Sequence, residues 1–154
     1  MGAEKNKKPS YLLSVLTNKC PRCRQGYIYK DKNAYNLKTT VRMEEKCPEC
    51  GQPTEIEVGF YYGTGYVSYA ISVAVCVASF IAWWVIIGMS LKDNRFFYWL
   101  GFNAVLLVAI QPLLMRLSRT LWLSWFVKYD AKWKEHKIDT TSTERVVAEQ
   151  MGNW

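Results

Sequence analysis

One stretch of this sequence constrains the fold more than any other. Residues 66–89 read YVSYAISVAVCVASFIAWWVIIGM and contain no Asp, Glu, Lys, Arg or His. An α-helix rises ~1.5 Å per residue, so about 20 residues cross a hydrocarbon layer of about 30 Å. A chain of 154 residues could hardly bury such a helix on every side of a soluble core. The stretch therefore predicts a transmembrane helix.

A second charge-free stretch, FFYWLGFNAVLLVAIQPLLM at residues 96–115, is also about one bilayer long. Only the short polar segment 90–95 separates it from the first, so the two helices must be antiparallel. Aromatic side chains cluster at the ends of both stretches. The headgroup region favours such rings, which are half desolvated there while their polar atoms stay wet. The sequence thus predicts a membrane α-helical protein with a two-helix hairpin at residues 59–115.

The distribution of charge predicts the orientation of this hairpin. The chain carries a net charge of +7, and eleven Lys and Arg residues precede the first span, two separate the spans and seven follow the second. The positive-inside rule then places both termini in the cytoplasm. Residues 1–9 are polar and have no apolar core, so we expect the first span to remain as an anchor. The basic excess suits anionic lipid, and no basic stripe interleaved with aromatics indicates nucleic acid.

Four of the five cysteines form the strongest chemical motif in the chain. Cys20 and Cys23 make one Cys-Pro-x-Cys pair, and Cys47 and Cys50 make a second. In each pair the sulfurs come close across a tight turn, where backbone N–H groups can donate to them. Two such pairs supply a closed tetrahedral set of thiolates for Zn²⁺. We therefore expect one structural zinc ion in an N-terminal, cytoplasmic module at residues 20–58.

The residues between the two pairs predict a β zinc ribbon. Residues 26–30 and 37–43 are candidate strands of a long hairpin, and 55–58 are a candidate third strand. Gly26 and Gly51 closely follow the pairs, as turns with positive φ require. A module this small has little core of its own, so metal binding would supply most of its folding free energy.

Two other interpretations of the cysteines stay open. A single iron, bound as in rubredoxin, uses the same sulfur set and would imply electron transfer. Disulfides or a thioredoxin-like pair need an oxidising compartment or a βαβ context, and the sequence indicates neither. The set has no fifth ligand and no open coordination position, which favours a structural role. The chain also lacks phosphate-binding, zinc-protease, serine-hydrolase and dinucleotide motifs, so we expect no enzyme activity.

Small and polar residues mark the packing faces of the hairpin. Small residues recur at intervals of three and four from Gly65 to Ser79, so another helix can approach closely. That helix could belong to this chain or to a partner. In the second span, Asn103 and Gln111 are eight residues apart, which predicts one shared face directed at protein. Bundle packing is the favoured interpretation, and a lipid- or small-molecule-binding or transport role is the alternative. Pro112 is expected to bend the helix.

The pattern changes after the second span. Leucine and aromatic residues recur every four positions in residues 116–137, at Leu117, Leu121, Trp125 and Tyr129. Basic residues occupy other positions of this segment. The pattern predicts an amphipathic helix in the cytoplasmic membrane interface, or one that packs against a partner subunit. The two ends are expected to be an N-terminal tail with a short helix, residues 1–19, and a polar C-terminal tail, residues 138–154.

The order of these motifs resembles the bacterial domain-of-unknown-function family numbered 983. Cys-Pro-Arg-Cys-Arg-x-Gly, Cys-Pro-x-Cys-Gly, a Gly-x-Gly before a membrane hairpin, and a proline with a basic aromatic segment follow one another between Cys20 and Tyr129. Gly63-Thr64-Gly65 replaces an acidic Gly-Asp-Gly of some members, and the charges around Gln111-Pro112 also differ. The resemblance implies a zinc ribbon ahead of a two-helix hairpin. Because some members are encoded beside cytochrome c oxidase assembly genes, it also implies a respiratory setting.

These observations together predict a small accessory or assembly subunit of a larger bacterial inner-membrane complex, such as a terminal oxidase. Its expected partners are other integral membrane subunits or further copies of this chain, together with membrane lipid. The zinc ribbon would be its cytoplasmic contact surface. A metal-handling or redox protein, and a lipid- or small-molecule-binding protein, are the alternatives.

Overall fold

A computed structural model describes residues 9–88, 93–136 and 138 of the chain. Helix α1 covers Tyr11–Leu16, and a 3₁₀ turn at Phe60–Gly63 leads into α2, Thr64–Ile87; α3 covers Arg95–Phe126. The predicted polar tail beyond Ile138 lies outside the described residues, as does the start of the predicted N-terminal tail.

Helices α2 and α3 form the predicted antiparallel hairpin. They have 24 and 32 residues and so extend about 36 and 48 Å. At one end, Trp122 Nε1 donates to the Phe60 carbonyl at 2.9 Å; at the other, Arg95 Nη1 donates to the Ile87 carbonyl at 3.0 Å. Both helices are long and apolar enough to cross a membrane.

A small polar network joins the two helices in the half of the hairpin nearer the connecting loop. Ser79 Oγ donates to Asn103 Oδ1 at 2.9 Å, and Asn103 Nδ2 donates to Cys76 Sγ at 3.3 Å. Trp99 Nε1 also donates to Ser79 Oγ, at 3.3 Å. Asn103 therefore packs against protein as predicted, and at this level the small residues of α2 face this chain's own α3. The prediction that Gln111 shares the buried face is wrong, since it is exposed; eight residues leave it about 80° from Asn103 around the helix.

The hairpin also depends on one close approach at the end nearest residues 20–58. These residues carry the two cysteine pairs, and we call them the metal module. A Cβ atom at Gly63 would lie 2.3 Å from the Trp122 ring, whereas one at Gly65 would meet nothing within 4 Å. Gly63→Ala is therefore expected to displace Trp122 and to cost about 1–3 kcal/mol, as overpacking does elsewhere. Gly65→Ala should be neutral or slightly stabilising, because alanine favours a helix. Thermal unfolding in detergent compares the two, and equal melting temperatures would contradict the packing argument.

The predicted interfacial helix at 116–137 is not a separate element. Helix α3 continues through Pro112 to Phe126 without interruption, and Val127 then takes an extended conformation (φ −104°, ψ 108°). Residues 128–136 form turns and irregular structure. The physical reason is that the metal module covers one face of this segment, and the chain after Phe126 folds back over that module.

The β-hairpin predicted between the cysteine pairs is also not found. Within residues 9–88, 93–136 and 138 there is no strand; residues 26–30 and 37–43 meet in one antiparallel bridge, Tyr29 to Met43. Residues 55–58 likewise form no strand. Two further bridges, Lys19 to Tyr27 and Lys46 to Pro53, close the turns that hold the two cysteine pairs.

Local polar side chains fold the segment between the two candidate strands, and the start of the second, into turns. The Asp31 carboxylate accepts hydrogen bonds from the Asn33 N–H at 2.9 Å, from Asn36 Nδ2 at 2.8 Å and from Thr39 Oγ1 at 2.9 Å. These bonds fold residues 31–39 into successive turns. Thr40 Oγ1 also donates to the Ala34 carbonyl at 2.8 Å. Local hydrogen bonds of this kind compete with a ladder of strand hydrogen bonds.

Candidate metal centre

The two cysteine pairs adopt matching turns. In the first turn, the Cys20 N–H donates to the Gly26 carbonyl at 2.8 Å, and the Arg24 N–H donates to the Cys20 carbonyl at 2.7 Å. In the second, the Cys47 N–H donates to the Gln52 carbonyl, and the Gly51 N–H donates to the Cys47 carbonyl, both at 2.8 Å. The repeated Cys-Pro-x-Cys sequence therefore folds twice into one local structure.

These turns bring all four predicted sulfurs together. The Sγ atoms of Cys20, Cys23, Cys47 and Cys50 lie within 4.8 Å of one another. Across the pairs, Cys20 Sγ lies 3.7 Å from Cys50 Sγ, and Cys23 Sγ lies 3.8 Å from Cys47 Sγ. A tetrahedral ion with metal–sulfur bonds of about 2.3 Å separates its sulfurs by about 3.8 Å. A disulfide needs about 2.05 Å. The cluster thus has the dimensions of a four-coordinate metal site and contains no disulfide.

The protonation of the cluster also favours a cation. Hydrogen bonds from neighbouring thiols hold the pKa of Cys23 well below its ordinary value, and the bond from Cys20 has the largest effect. The same interaction with Cys23 raises the pKa of Cys20 well above its ordinary value. Hydrogen bonds, chiefly that of Cys20, lower the pKa of Cys47 to about 7. Four thiols this close share protons unequally because four adjacent negative charges repel, and a bound cation would remove that repulsion.

Backbone N–H groups donate to the sulfurs, as the sequence predicts. The Cys23 N–H donates to the Cys20 sulfur and the Cys50 N–H to the Cys47 sulfur. The Gly26 and Gln52 N–H groups do the same for Cys23 and Cys50. These dipoles stabilise thiolates and fix the direction in which each sulfur points.

The two glycines near the pairs have different roles. Gly51 has φ +69°, which confirms the predicted turn with positive φ. In the first turn the matching position is Arg24, at φ 56°, and Gly26 is outside the positive-φ region. Gly26 serves a close approach instead, because a Cβ atom there would lie 2.5 Å from Cys47 Sγ. It therefore lets the first turn pack directly against a sulfur of the second.

Gly26→Ala is accordingly expected to weaken metal binding. The methyl group would push Cys47 Sγ away from its tetrahedral position, because real Cβ atoms do not approach a sulfur so closely. We expect about 10- to 100-fold lower metal affinity, the range seen when groups that position metal ligands are lost. Competition against a chromogenic chelator measures this, and Gly65→Ala is the matched control. Unchanged affinity in Gly26→Ala would contradict the geometry.

The metal centre packs directly on α3. Cys20, Cys23 and Cys47 belong to one buried cluster with Leu123 and Val127 of that helix and its end. Two small polar side chains of α3 are equally buried: Ser118 and Thr120 are 2% and 0% exposed. The site and the end of α3 are thus one continuous core, and a folded module is held at a fixed position on the hairpin.

Arg116 is the main residue that holds the module there. Its side chain is 1% exposed, and its guanidinium lies 4.9 Å from the centre of the Tyr29 ring. It donates four hydrogen bonds of 2.8–3.2 Å to residues between the cysteine pairs: to the Tyr27 hydroxyl and to the carbonyls of Lys32, Asn33 and Thr40. All of these acceptors are neutral oxygens, so the buried charge is satisfied by dipoles from the loop.

Tyr29 completes this contact from the module side. Burial raises the pKa of Tyr29 to about 12, so its hydroxyl stays protonated and donates to the Arg116 carbonyl at 2.8 Å. Thr120 Oγ1, one turn further along α3, donates to Asn18 Oδ1 at 3.1 Å. Arg116 begins the segment 116–137 that the sequence assigned to the membrane interface, because nothing in the local pattern distinguishes a buried arginine from an exposed one.

The chain after α3 closes over the first cysteine turn. The Asp130 N–H donates to the Arg22 carbonyl at 3.1 Å, and Arg22 Nη2 donates to the His136 carbonyl at 2.9 Å. Arg22 Nη2 also lies 3.5 Å from Asp130 Oδ2. Trp133 packs against the cysteine cluster. Asp130, Trp133 and His136 all belong to the segment 116–137 that the sequence assigned to the membrane interface.

The residues considered for a small-molecule role do not form one site. Asn103 is committed to Ser79 and Cys76, and Gln111 is exposed on another face of α3. Cys76 lies in the interface between the two helices, where its sulfur accepts the hydrogen bond from Asn103. A cleft of about 540 Å³ lies elsewhere, between the metal module and the start of α2. Basic and acidic side chains both line it: Lys30, Arg42, Arg119, Glu44, Glu45 and Glu55.

Comparisons with family models, curated proteins and solved structures found no match to this chain. The resemblance to the family numbered 983 therefore stays a prediction. What the geometry itself defines is a helical hairpin, apolar enough to cross a membrane, that carries a four-cysteine cluster able to hold a metal ion.

Proposed function

We propose that this protein is a small integral membrane accessory or assembly subunit of a larger bacterial cytoplasmic-membrane complex, with a structural zinc ion in its cytoplasmic module. The observation that carries the proposal is the shared core of the cysteine cluster with Leu123 and Val127. A metal bound there would hold a compact surface at a fixed position on the end of a transmembrane helix. Such an arrangement suits a docking subunit better than a catalyst.

The exposed surface of the hairpin supports membrane insertion. Val105 and Val108 of α3 are 70% and 76% exposed, and Val85 and Ile86 of α2 are 79% and 80% exposed. The core helix of a soluble protein buries such side chains. Contiguous apolar surface of this extent needs lipid or another protein to cover it.

The chemistry of the ligand set supports zinc. Four thiolates are soft ligands, and a closed tetrahedral sulfur site with four protein ligands is typical of structural zinc. The ion would neutralise the thiolates of Cys20, Cys23, Cys47 and Cys50 and would stabilise a module that has only single bridges where a sheet was expected.

The hairpin and the distribution of charge support the orientation. Phe60 and Trp122 lie together at one end of the antiparallel pair, so the metal module and the end of α3 are on the same side. Most Lys and Arg residues lie outside the loop that joins the helices. By the positive-inside rule, that side is the cytoplasm, where thiols stay reduced and can bind metal.

Gln111 supports a partner within the membrane. Its amide is exposed on α3, inside the charge-free stretch 96–115. Polar side chains at that depth rarely face lipid, and an interhelical hydrogen bond of about 0.6–2 kcal/mol is available if another helix covers them. A partner subunit or a second copy of this chain would provide such a helix. A terminal oxidase is the complex that the family resemblance implies.

Native sizing and mass spectrometry of the tagged protein after gentle detergent extraction test the proposal. We expect a particle larger than the chain alone, with stoichiometric integral membrane partners, and one zinc per chain. Gln111→Leu should reduce partner recovery, and Val108→Leu, at an exposed apolar position, is its control. A small particle that contains only this chain would overturn the accessory-subunit assignment.

A metal-handling or redox function is the second candidate, and Cys50 favours it. Cys50 is half-buried, whereas Cys20, Cys23 and Cys47 are buried. A partly exposed thiolate gives a chelator or a partner access to the metal. Iron in the purified protein, or zinc that exchanges within minutes, would support this function; tightly held zinc would count against it.

A further inference from the structure

The loop between the cysteine pairs reaches α3 where the apolar span ends. Arg116 donates to the carbonyls of Lys32 and Asn33 at 3.2 and 2.9 Å. Helical side chains lean toward the N-terminus of their own helix. Those carbonyls therefore lie over the turn that precedes Arg116, beside the end of the charge-free stretch 96–115.

The burial of Pro112 gives the same position independently. Pro112 is buried, although it follows Asn103 by nine residues and so lies on the opposite face of α3. Asn103 faces α2. Arg116, one turn further along on the face of Pro112, is covered by residues 32–40. A loop that continues over this face accounts for the burial of Pro112 and lies one turn inside the apolar stretch.

The tip of this loop is ordered and presents apolar side chains outward. The Asn33 N–H donates to Asp31 Oδ1 at 2.9 Å, and the Tyr35 N–H donates to Asn33 Oδ1 at 3.0 Å. Two successive side-chain-closed turns therefore fix the backbone. Tyr35 and Leu37 are nevertheless 57% and 77% exposed. An ordered loop that exposes a leucine and a tyrosine beside a membrane span has the chemistry of a surface that contacts lipid.

Charge in the loop complements an anionic headgroup layer. Lys32 and Lys38 are exposed on either side of the apolar tip. The Asp31 carboxylate accepts hydrogen bonds from three groups within the loop. These bonds lower its pKa, and the bond from the Asn33 N–H has the largest effect. The carboxylate is therefore occupied by hydrogen bonds within the loop, and the outward face of the tip is basic and apolar.

We propose that residues 31–38 are a membrane-interface anchor for an anionic phospholipid surface. Tyr35 and Leu37 enter the boundary between headgroups and acyl chains, and Lys32 and Lys38 contact the phosphates. Each such lysine adds affinity for an anionic surface, and the buried apolar area adds the rest. This inference rests on the proposed insertion of the hairpin. It goes beyond that proposal by adding a second, peripheral contact that fixes the height of the metal module above the membrane.

Photocrosslinking in nanodiscs tests the anchor on the full-length, metal-loaded protein. A benzophenone-bearing phenylalanine analogue replaces Leu37, Glu49 or Val105 in three separate variants. Glu49 is exposed beside the second cysteine turn, and Val105 is 70% exposed in the middle of α3. Discs of phosphatidylglycerol and of phosphatidylcholine are compared, and mass spectrometry detects lipid adducts on the chain.

We expect lipid adducts at positions 37 and 105, and a yield at position 49 close to background. The yield at position 37 should be higher in phosphatidylglycerol, and Lys32→Gln with Lys38→Gln should remove that preference. Adducts at 105 but not at 37 would overturn the anchor and leave the inserted hairpin intact. Adducts at neither position would overturn membrane insertion itself. Crosslinks from 37 to protein would overturn the anchor in favour of a protein contact.

Discussion

Cys20→Ser is expected to lower the metal content of the purified protein from one ion per chain to nearly zero. Serine keeps the size of the side chain but replaces a soft thiolate with a hydroxyl, which stays protonated and binds zinc weakly. Cys20 is 1% exposed and lies 3.7 Å from Cys50 across the two pairs, so its loss opens one edge of the tetrahedron. Elemental analysis of the purified variant measures the result.

The same substitution should unfold the metal module while the hairpin persists. Structural zinc contributes an apparent ~10–16 kcal/mol in small zinc domains, which is as large as the stability of a whole domain. The module has only isolated bridges to replace it. We therefore expect several-fold lower abundance in cells and rapid proteolytic cleavage between residues 24 and 46. Removal of the metal by a chelator from the wild-type protein should reproduce the cleavage.

Cys76→Ser is the matched control for this experiment. The chemical change is identical, but Cys76 lies in α2 and only accepts a hydrogen bond from Asn103, which a hydroxyl can also accept. Metal content and abundance should stay close to wild type. If Cys20→Ser retained its metal and its abundance, the four sulfurs would not hold a structural ion.

The four-cysteine cluster could be predicted from sequence because the geometry of each of its turns is local. Each pair closes a turn within seven residues, and the hydrogen bonds that shape the turn come from the same segment. Gly51 could be assigned to a positive-φ position on this basis. Gly26 could not be explained in the same way, since the atom it must avoid, Cys47 Sγ, belongs to the other turn.

The loop between the pairs could not be predicted, because a distant residue determines its conformation. Alternating residues at 37–43 suggested a strand, but the carbonyls of Lys32, Asn33 and Thr40 are bonded to a guanidinium on α3. Arg116 is 76 residues from Thr40 in the chain. The sequence of the loop does not indicate that its carbonyls accept hydrogen bonds from a distant guanidinium. Propensity alone therefore predicts a strand.

The face of α3 that contacts the metal module could not be predicted from sequence either. The pattern at Leu117, Leu121 and Trp125 correctly predicted a helix, yet the face that packs on the module includes Arg116, Thr120 and Leu123. Trp125 is 59% exposed. A module rich in backbone carbonyls and small polar groups selects a polar face of the helix. Hydrophobic periodicity identifies the apolar face of a helix and so does not predict packing on a polar face.

Arg116→Leu is expected to detach the metal module from α3. Leucine approximates the apolar stem of arginine but leaves the three loop carbonyls and the Tyr27 hydroxyl without their donor. Each buried acceptor that is left unsatisfied costs about 1–3 kcal/mol, and local opening to water will satisfy part of the set. We expect a net loss of about 3–5 kcal/mol in module docking, seen as a melting temperature roughly 10 °C lower in detergent.

Two variants separate the geometry of this contact from its charge. Arg116→Lys keeps the charge but offers a compact ammonium group, which cannot bridge acceptors as widely spaced as a planar guanidinium can. It should restore only part of the lost stability. Arg42→Leu removes a positive charge from an exposed position of the same loop and should change little. Full stability in Arg116→Leu would contradict the role of Arg116. If instead Arg116→Lys matched wild type, charge alone would hold the module, and the four directed hydrogen bonds would be incidental.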